Sequence, residues 1–188
     1  MKINVHSYIT ESKANGPGKR FVIWFQGCSI RCLGCFNKKT WRFDIGDNYY
    51  VKDLVKIFCR YKSKNNLDGV AISGGEPFDQ LDGLLDLTQK LKYQKENILC
   101  YTGYTYNSLK KSNDSRVTKI LDNIDILIDG KFDESQRSDL QWRGSKNQQI
   151  YYLNNISKKN CQINIYDTDV EYFFDNHSNI IITGFPKG

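Results

Sequence analysis

The chain has 188 residues, enough for one domain of ordinary size with a real core. Hydrophobic residues make up 39% and charged residues 26%, a globular balance that excludes disordered and fibrous classes. The net charge of +6 comes from scattered lysines and arginines with no basic stripe interleaved with aromatics, so no nucleic-acid footprint is expected, and no run approaches the ~20 apolar residues that span a bilayer.

The opening residues, MKINVHSYITESKANGPGKR, contain no apolar h-region. No signal peptide is therefore expected, and the expected compartment is the reducing cytoplasm. RFVIWF (20–25) is a short run of β-formers stopped by Gly27 and followed by a cysteine-rich loop. VKDLVKIFCRY (51–61) carries apolar residues at helical spacing, and GVAIS (69–73) reads as a buried strand ending at Gly74-Gly75. DQLDGLLDLTQKLKY (79–93) returns to the helical period, and NILCYT (97–102) is a strand stopped by Gly103. A helical stretch over about 106–122 is weakened by Ser112–Ser115, and DILID (125–129) is a strand ended by Gly130. A further strand is expected near residue 5 or over Ile150–Leu153.

Strands alternating with helices indicate α/β units around a parallel sheet. A closed eight-unit barrel needs about 250 residues, so the expected fold is a partial, side-open (β/α) barrel. Chemistry in such folds collects at the carboxyl ends of the strands. Those ends carry the cysteine loop, Gly74-Gly75-Glu76, Thr102-Gly103-Tyr104 and Asp129-Gly130. Beyond residue 155, two β-rich runs flank the turn-like DNHSN, predicting a β-hairpin-like C-terminal extension over 155–188 on a 1–154 core.

The loop GCSIRCLGCFN (27–37) spaces Cys28, Cys32 and Cys35 with gaps of three and two residues. In a reducing compartment such clustering points to a metal or to catalysis. A structural zinc site takes four ligands, and no second C-x-x-C pair is present; His6 and His177, the only histidines, stand apart from other ligands. Three soft thiolates suit an iron–sulfur cubane with one iron left open, although a three-thiolate zinc site remains an alternative. A fourth ligand from Cys59, Cys100 or Cys161 would make an electron carrier, but these cysteines are expected to be small buried hydrophobes. Trp24 and Phe25 are expected in the core.

C-x3-C-x2-C after a strand, followed by Ser73-Gly74-Gly75-Glu76-Pro77, resembles the radical S-adenosylmethionine (SAM) superfamily. Five further blocks occur in order: Asn15-Gly16-Pro17-Gly18-x-Arg20, Cys35-Phe36-Asn37 with Thr40-Trp41, Tyr101–Tyr104, Asp129–Phe132, and Arg143-Gly144-Ser145-x-Asn147-Gln148. Together they resemble the activating-protein branch that serves anaerobic ribonucleotide reductase. The resemblance covers about residues 4–153 and leaves the C-terminal extension outside it.

The resemblance implies a [4Fe-4S] cluster on Cys28, Cys32 and Cys35, with SAM chelated to the open iron. One-electron cleavage would give methionine and a 5′-deoxyadenosyl radical, which takes a hydrogen from a backbone glycine of a large glycyl-radical enzyme. Gly74, Gly75 and Glu76 would bind the methionine part of SAM, and Thr102 and Tyr104 would line the nucleoside pocket. Asp129, Lys131 and Arg143 would hold the SAM carboxylate, the ribose or the partner loop, while Asn37, counted among the cofactor-binding residues, and Trp41 would hold the cluster loop in shape. A flavodoxin or ferredoxin is the implied electron donor. Two other functions stay open at this level: a radical SAM enzyme modifying a peptide or small molecule, and a non-catalytic iron–sulfur or zinc module.

Overall fold

The computed structural model describes residues 1–154, 170–174 and 180–184. The expected positions of Cys161 and His177 lie outside the described residues.

Seven strands form one sheet: β1 (Lys2–Ser12), β2 (Arg20–Phe25), β3 (Asp47–Tyr50), β4 (Gly69–Gly74), β5 (Ile98–Tyr101), β6 (Ile126–Asp129) and β7 (Gln149–Tyr152), in the order β3-β1-β2-β4-β5-β6-β7. The central four, β2, β4, β5 and β6, run parallel. They are the four strands expected from the sequence. Both places considered for a further strand, near residue 5 and over Ile150–Leu153, are occupied. Strands β1 and β7 are antiparallel to their neighbours and flank the parallel core, with β3 antiparallel to β1 outside it.

Helices α1 (Val51–Asn65), α2 (Leu81–Tyr93), α3 (Tyr106–Lys110) and α4 (Ser115–Asn123) follow β3, β4 and β5. The stretch expected as one weak helix over 106–122 is two, because the serine-rich linker ends the first. Asp114 then caps the second, its carboxylate accepting from Arg116 N at 2.9 Å. Helix α1 runs four residues past its apolar pattern and stops at Asn66, which takes a left-handed conformation (φ 51°). Strand β3 had no apolar signal: DNYY is largely exposed and is held by pairing with β1.

The strands alternate side chains between two apolar layers. One layer takes Phe21, Ile23 and Phe25 of β2, Val70 and Ile72 of β4, and Ile98 and Cys100 of β5, with the apolar faces of all four helices. Cys100 is fully buried there, as expected. The other face carries Val22, Trp24, Ala71, Leu99, Ile126 and Ile128, packed with Ile9 and Trp142. No helix packs on this second face among the described residues. Beyond the main sheet, β8 (Val170–Phe174) and β9 (Ile180–Gly184) pair antiparallel as a hairpin. Among the described residues no helix is long and apolar enough to cross a membrane.

Candidate functional site

The carboxyl ends of the four parallel strands open onto a cavity of about 440 Å³. Cys28, Cys32, Cys35, Asn37, Gly74, Gly75, Glu76 and Thr102 all line it. Residues separated by up to 74 positions in sequence are thus brought to one place by strand order alone.

Backbone lacing joins the cysteine loop to the glycine turn. Gly75 N donates to Phe25 O at 2.7 Å and Glu76 N to Gly27 O at 2.8 Å. Gly27 N in turn donates to Thr40 O at 2.7 Å, and Cys28 N to Trp41 O at 3.1 Å. The approach admits no side chain: a Cβ on Gly75 would lie 2.0 Å from Gly27 O. Gly74 adopts φ +108°, and a Cβ there would lie 2.3 Å from Phe25 N.

Backbone amides surround the cysteine sulfurs. Asn37 N donates to Cys35 Sγ at 3.3 Å. Burial pushes the Cys28 and Cys32 thiols up, and nearby amides of Arg31 and Ile30 at Cys28, and of Phe132 at Cys32, work against it. Amides so aimed would stabilise thiolate and bridging sulfide. Asp79 secures the loop behind Cys28, accepting from Ser29 N at 2.7 Å, Ser29 Oγ at 2.9 Å and Tyr104 Oη at 3.3 Å. Phe36 packs on Phe132 with ring centroids 5.1 Å apart, and Arg137 lies over the same Phe36 ring.

Glu76 is buried with a full set of donors. Its carboxylate accepts from Thr102 Oγ1 at 2.8 Å, Gly103 N at 2.7 Å and Phe78 N at 3.0 Å. Desolvation nevertheless raises its pKa from the ordinary carboxylate range to about 7, with Asp79 adding to the rise. Glu76 therefore ties the turn after β4 to the turn after β5.

The remaining expected site residues do not line the cavity. Tyr104 reaches Asp79 instead. Asp129 accepts from Tyr106 N at 2.6 Å and Gln149 N at 3.1 Å, which uses both carboxylate oxygens on the chain itself. Lys131 is exposed, and Arg143 donates from Nη1 to Gln148 O at 3.4 Å. Trp24, expected as core, is buried but also lines the cavity. Gly130, Phe132 and Gln148 line it too, although the motif blocks they belong to point to other members as the site residues. Gln148 pins this end of the site by donating to Gly130 O at 2.9 Å and accepting from Gly144 N at 2.8 Å.

The residues fit an iron–sulfur cluster. Three unpaired thiols share a cavity with amides aimed at sulfur, and the Trp41 indole N–H is buried at that cavity with no hydrogen-bond partner among the described residues. No three described His, Cys, Asp or Glu side chains converge to hold a single metal ion. Three thiolates that each take their own iron do not require that convergence, whereas a mononuclear zinc site does. Cys59, expected to be buried, is half-exposed and donates to Gln94 Oε1 at 2.9 Å, away from the site.

Comparison with known proteins agrees with this geometry. The family model described as "4Fe-4S single cluster domain" matches residues 14–151. The anaerobic ribonucleoside-triphosphate reductase-activating protein of Vibrio cholerae is 36% identical over 155 residues, covering 79% of this chain and 97% of that protein. The proteins of the same name in Escherichia coli K12 and Enterobacteria phage T4 are 31% and 30% identical. The first match covers 80% of this chain and 99% of the relative, the second 73% and 86%. A solved structure, that of QueE from Escherichia coli, superimposes at a TM-score of 0.46 with 21% identity, over 56% of this chain and 54% of that one, too loose a match to carry an argument.

Proposed function

Because the chain belongs to the 4Fe-4S single-cluster family, with activating proteins of anaerobic ribonucleoside-triphosphate reductase as relatives along nearly their whole length, we propose that it is such an activase. In this reading Cys28, Cys32 and Cys35 would hold a [4Fe-4S] cluster, and SAM would bind beside it in the same cavity. When bound and reduced, the cluster would supply the electron for cleavage of SAM to methionine and a 5′-deoxyadenosyl radical, the species that would take a hydrogen atom from a glycine of the reductase.

The chain's own residues bind, orient and exclude water. The Gly74-Gly75 turn leaves backbone exposed at the cavity, where the amino-acid end of SAM would lie. Glu76 holds that turn against Thr102 and Gly103, and an ammonium nearby would favour its ionised form. Thr102 lines the proposed nucleoside end. We assign Tyr104, Asp129 and Arg143 to positioning the loops through Asp79, Gln149 and Gln148. Lys131, exposed at the next loop, is assigned to the partner segment. The sheet is read as a partial, side-open barrel over a 1–154 core, with 155–188 as an extension. A cytoplasmic setting and a flavodoxin or ferredoxin donor belong to the same reading.

The observation that carries the proposal is the meeting of three thiols and the Gly74–Glu76 turn on one cavity at the ends of the parallel strands. The test mixes the reconstituted protein with an anaerobic ribonucleotide reductase, SAM and reductant under argon. An EPR doublet from a glycyl radical on the reductase is expected. SAM cleavage without the doublet would instead favour a peptide or small-molecule substrate.

A further inference from the structure

The hairpin β8–β9 lies beyond the family match, which ends at residue 151, yet it is bound into the site. The Glu171 carboxylate accepts from the Ser12 hydroxyl, from Lys13 N at 2.9 Å and from Ala14 N at 3.4 Å. Asn15 Nδ2 donates to Thr183 Oγ1 at 2.8 Å and to Ser12 Oγ at 2.8 Å. Glu171 and Thr183 are register partners, so both clamps act from one face of the hairpin. Ser12, Asn15 and Thr183 are buried where they meet. Phe173, two residues from Glu171 and on the same face, packs on the helix-free layer around Val22 and Trp24. At the end of β9, Ile182, Thr183 and Gly184 line the same cavity as the three cysteines.

A loosely tethered tail has no need of such contacts. A carboxylate that accepts from two backbone amides and a hydroxyl makes charge-assisted bonds, and here they act beside the buried Asn15 to Thr183 bond. The helix-free face of the sheet also requires a cover, since Val22, Trp24, Ala71 and Leu99 are apolar. Phe173 supplies part of that cover next to the cavity.

Resting on the reading of the cavity as the site of SAM cleavage, we propose that the β8–β9 hairpin is a built wall of the reaction cavity, clamped shut through Glu171, that keeps small solutes from the reacting end of bound SAM. The wall makes hydrogen transfer from the partner the productive exit and disfavours transfer from thiols or buffer in the solvent. Tyr172 and its register partner Ile182, which sits at the cavity rim, remain exposed.

The test is Glu171→Ala in the full chain, with Glu171→Gln as the variant that keeps an acceptor oxygen. In the cluster-free protein, Glu171→Ala is expected to lower hydrogen-exchange protection of the Lys13 and Ala14 amides by about tenfold or more, the scale of losing charge-assisted hydrogen bonds. Iodoacetamide is expected to alkylate Cys28 severalfold faster than in the parent. In the reconstituted protein, cluster content and SAM binding are expected to stay at parental levels. The ratio of 5′-deoxyadenosine to glycyl radical is expected to rise severalfold, and Glu171→Gln is expected to return it towards the parental ratio. Unchanged amide protection would overturn the clamp. Lost protection with parental Cys28 alkylation and a parental ratio would overturn the wall and leave the hairpin as a cap on the sheet. If the parent protein cleaves no SAM, the reading of the cavity fails, while the exchange and alkylation results still decide the clamp and the wall.

Discussion

Replacing Gly75 by Ala puts one methyl group where the structure has no room. The new Cβ would lie 2.0 Å from Gly27 O, 2.7 Å from Gly27 C and 3.0 Å from Thr40 O. All three are backbone atoms of the cysteine-loop framework and cannot swing aside as a side-chain tip does. Relief requires the turn to withdraw from Gly27 by about an ångström or more, which stretches the Glu76 N to Gly27 O bond and the Gly75 N to Phe25 O bond. Overpacking costs about 1–3 kcal/mol, and each weakened backbone bond costs roughly 0.5–1.5 kcal/mol. The sum is about 2–6 kcal/mol, which for a chain of this size lowers Tm by roughly 4–24 °C. Gly103→Ala is the matched control. Its Cβ would meet the Cδ1 end of the Ile30 side chain at 2.6 Å, a flexible group that can turn away. The assay is thermal unfolding of both variants without cluster, followed by SAM binding after reconstitution. The Gly75→Ala protein is expected to melt well below the Gly103→Ala protein and to bind SAM more weakly. Equal melting temperatures, or a larger loss from Gly103→Ala, would refute the reasoning.

Cys32→Ala removes one of three thiolates, and reconstituted protein is expected to lose its brown absorbance and bound sulfide while the cluster-free fold melts within a few degrees of the parent. Glu76 holds its proton more tightly in the folded chain, with a pKa of about 7. Its contribution to stability is therefore full below the ordinary carboxylate pKa and is lost as pH rises towards 7. Glu76→Gln is expected to flatten that part of the stability–pH curve, measured by urea unfolding of the cluster-free protein; a decline as steep as the parent's would assign it to other groups. Asp79→Ala removes the acceptor for Ser29 N and Oγ. Faster hydrogen exchange at Ser29 is expected, together with a cluster lost more readily to a chelator. Arg116→Ala breaks ion pairs to Asp82 and Asp114 at an exposed site, and a change in stability below about 1 kcal/mol is expected by urea titration.

The parallel core was legible because each of its strands is a short apolar run ended by glycine, from RFVIWF to DILID. Strand β3 was not, because DNYY carries no core-facing pattern and exists only through its pairing with β1. The cysteine triplet and Gly74-Gly75-Glu76 were legible as chemistry, since local spacing and residue type define them. The role of Glu76 was only half visible: the resemblance implies that it meets the methionine part of SAM, but its ties to Thr102 and Gly103 depend on which strand lies next to β4. Asp129 shows the same limit. A carboxylate at a strand end reads as a site residue until the fold shows both oxygens held by backbone amides. Trp24 lay in plain view on an alternating strand, and only the open, helix-free face next to the cavity separates it from an ordinary core residue. The hairpin was expected as an extension on the core. Its clamp through Glu171 joins residues about 160 positions apart, which no local pattern in the sequence announces.

The most direct measurement is product analysis of the anaerobically reconstituted protein with SAM and dithionite. The account predicts bound iron and sulfide, 5′-deoxyadenosine and methionine, and neither product from Cys32→Ala. A protein that binds zinc in place of iron, or one that holds its cluster and yields no 5′-deoxyadenosine, would contradict it.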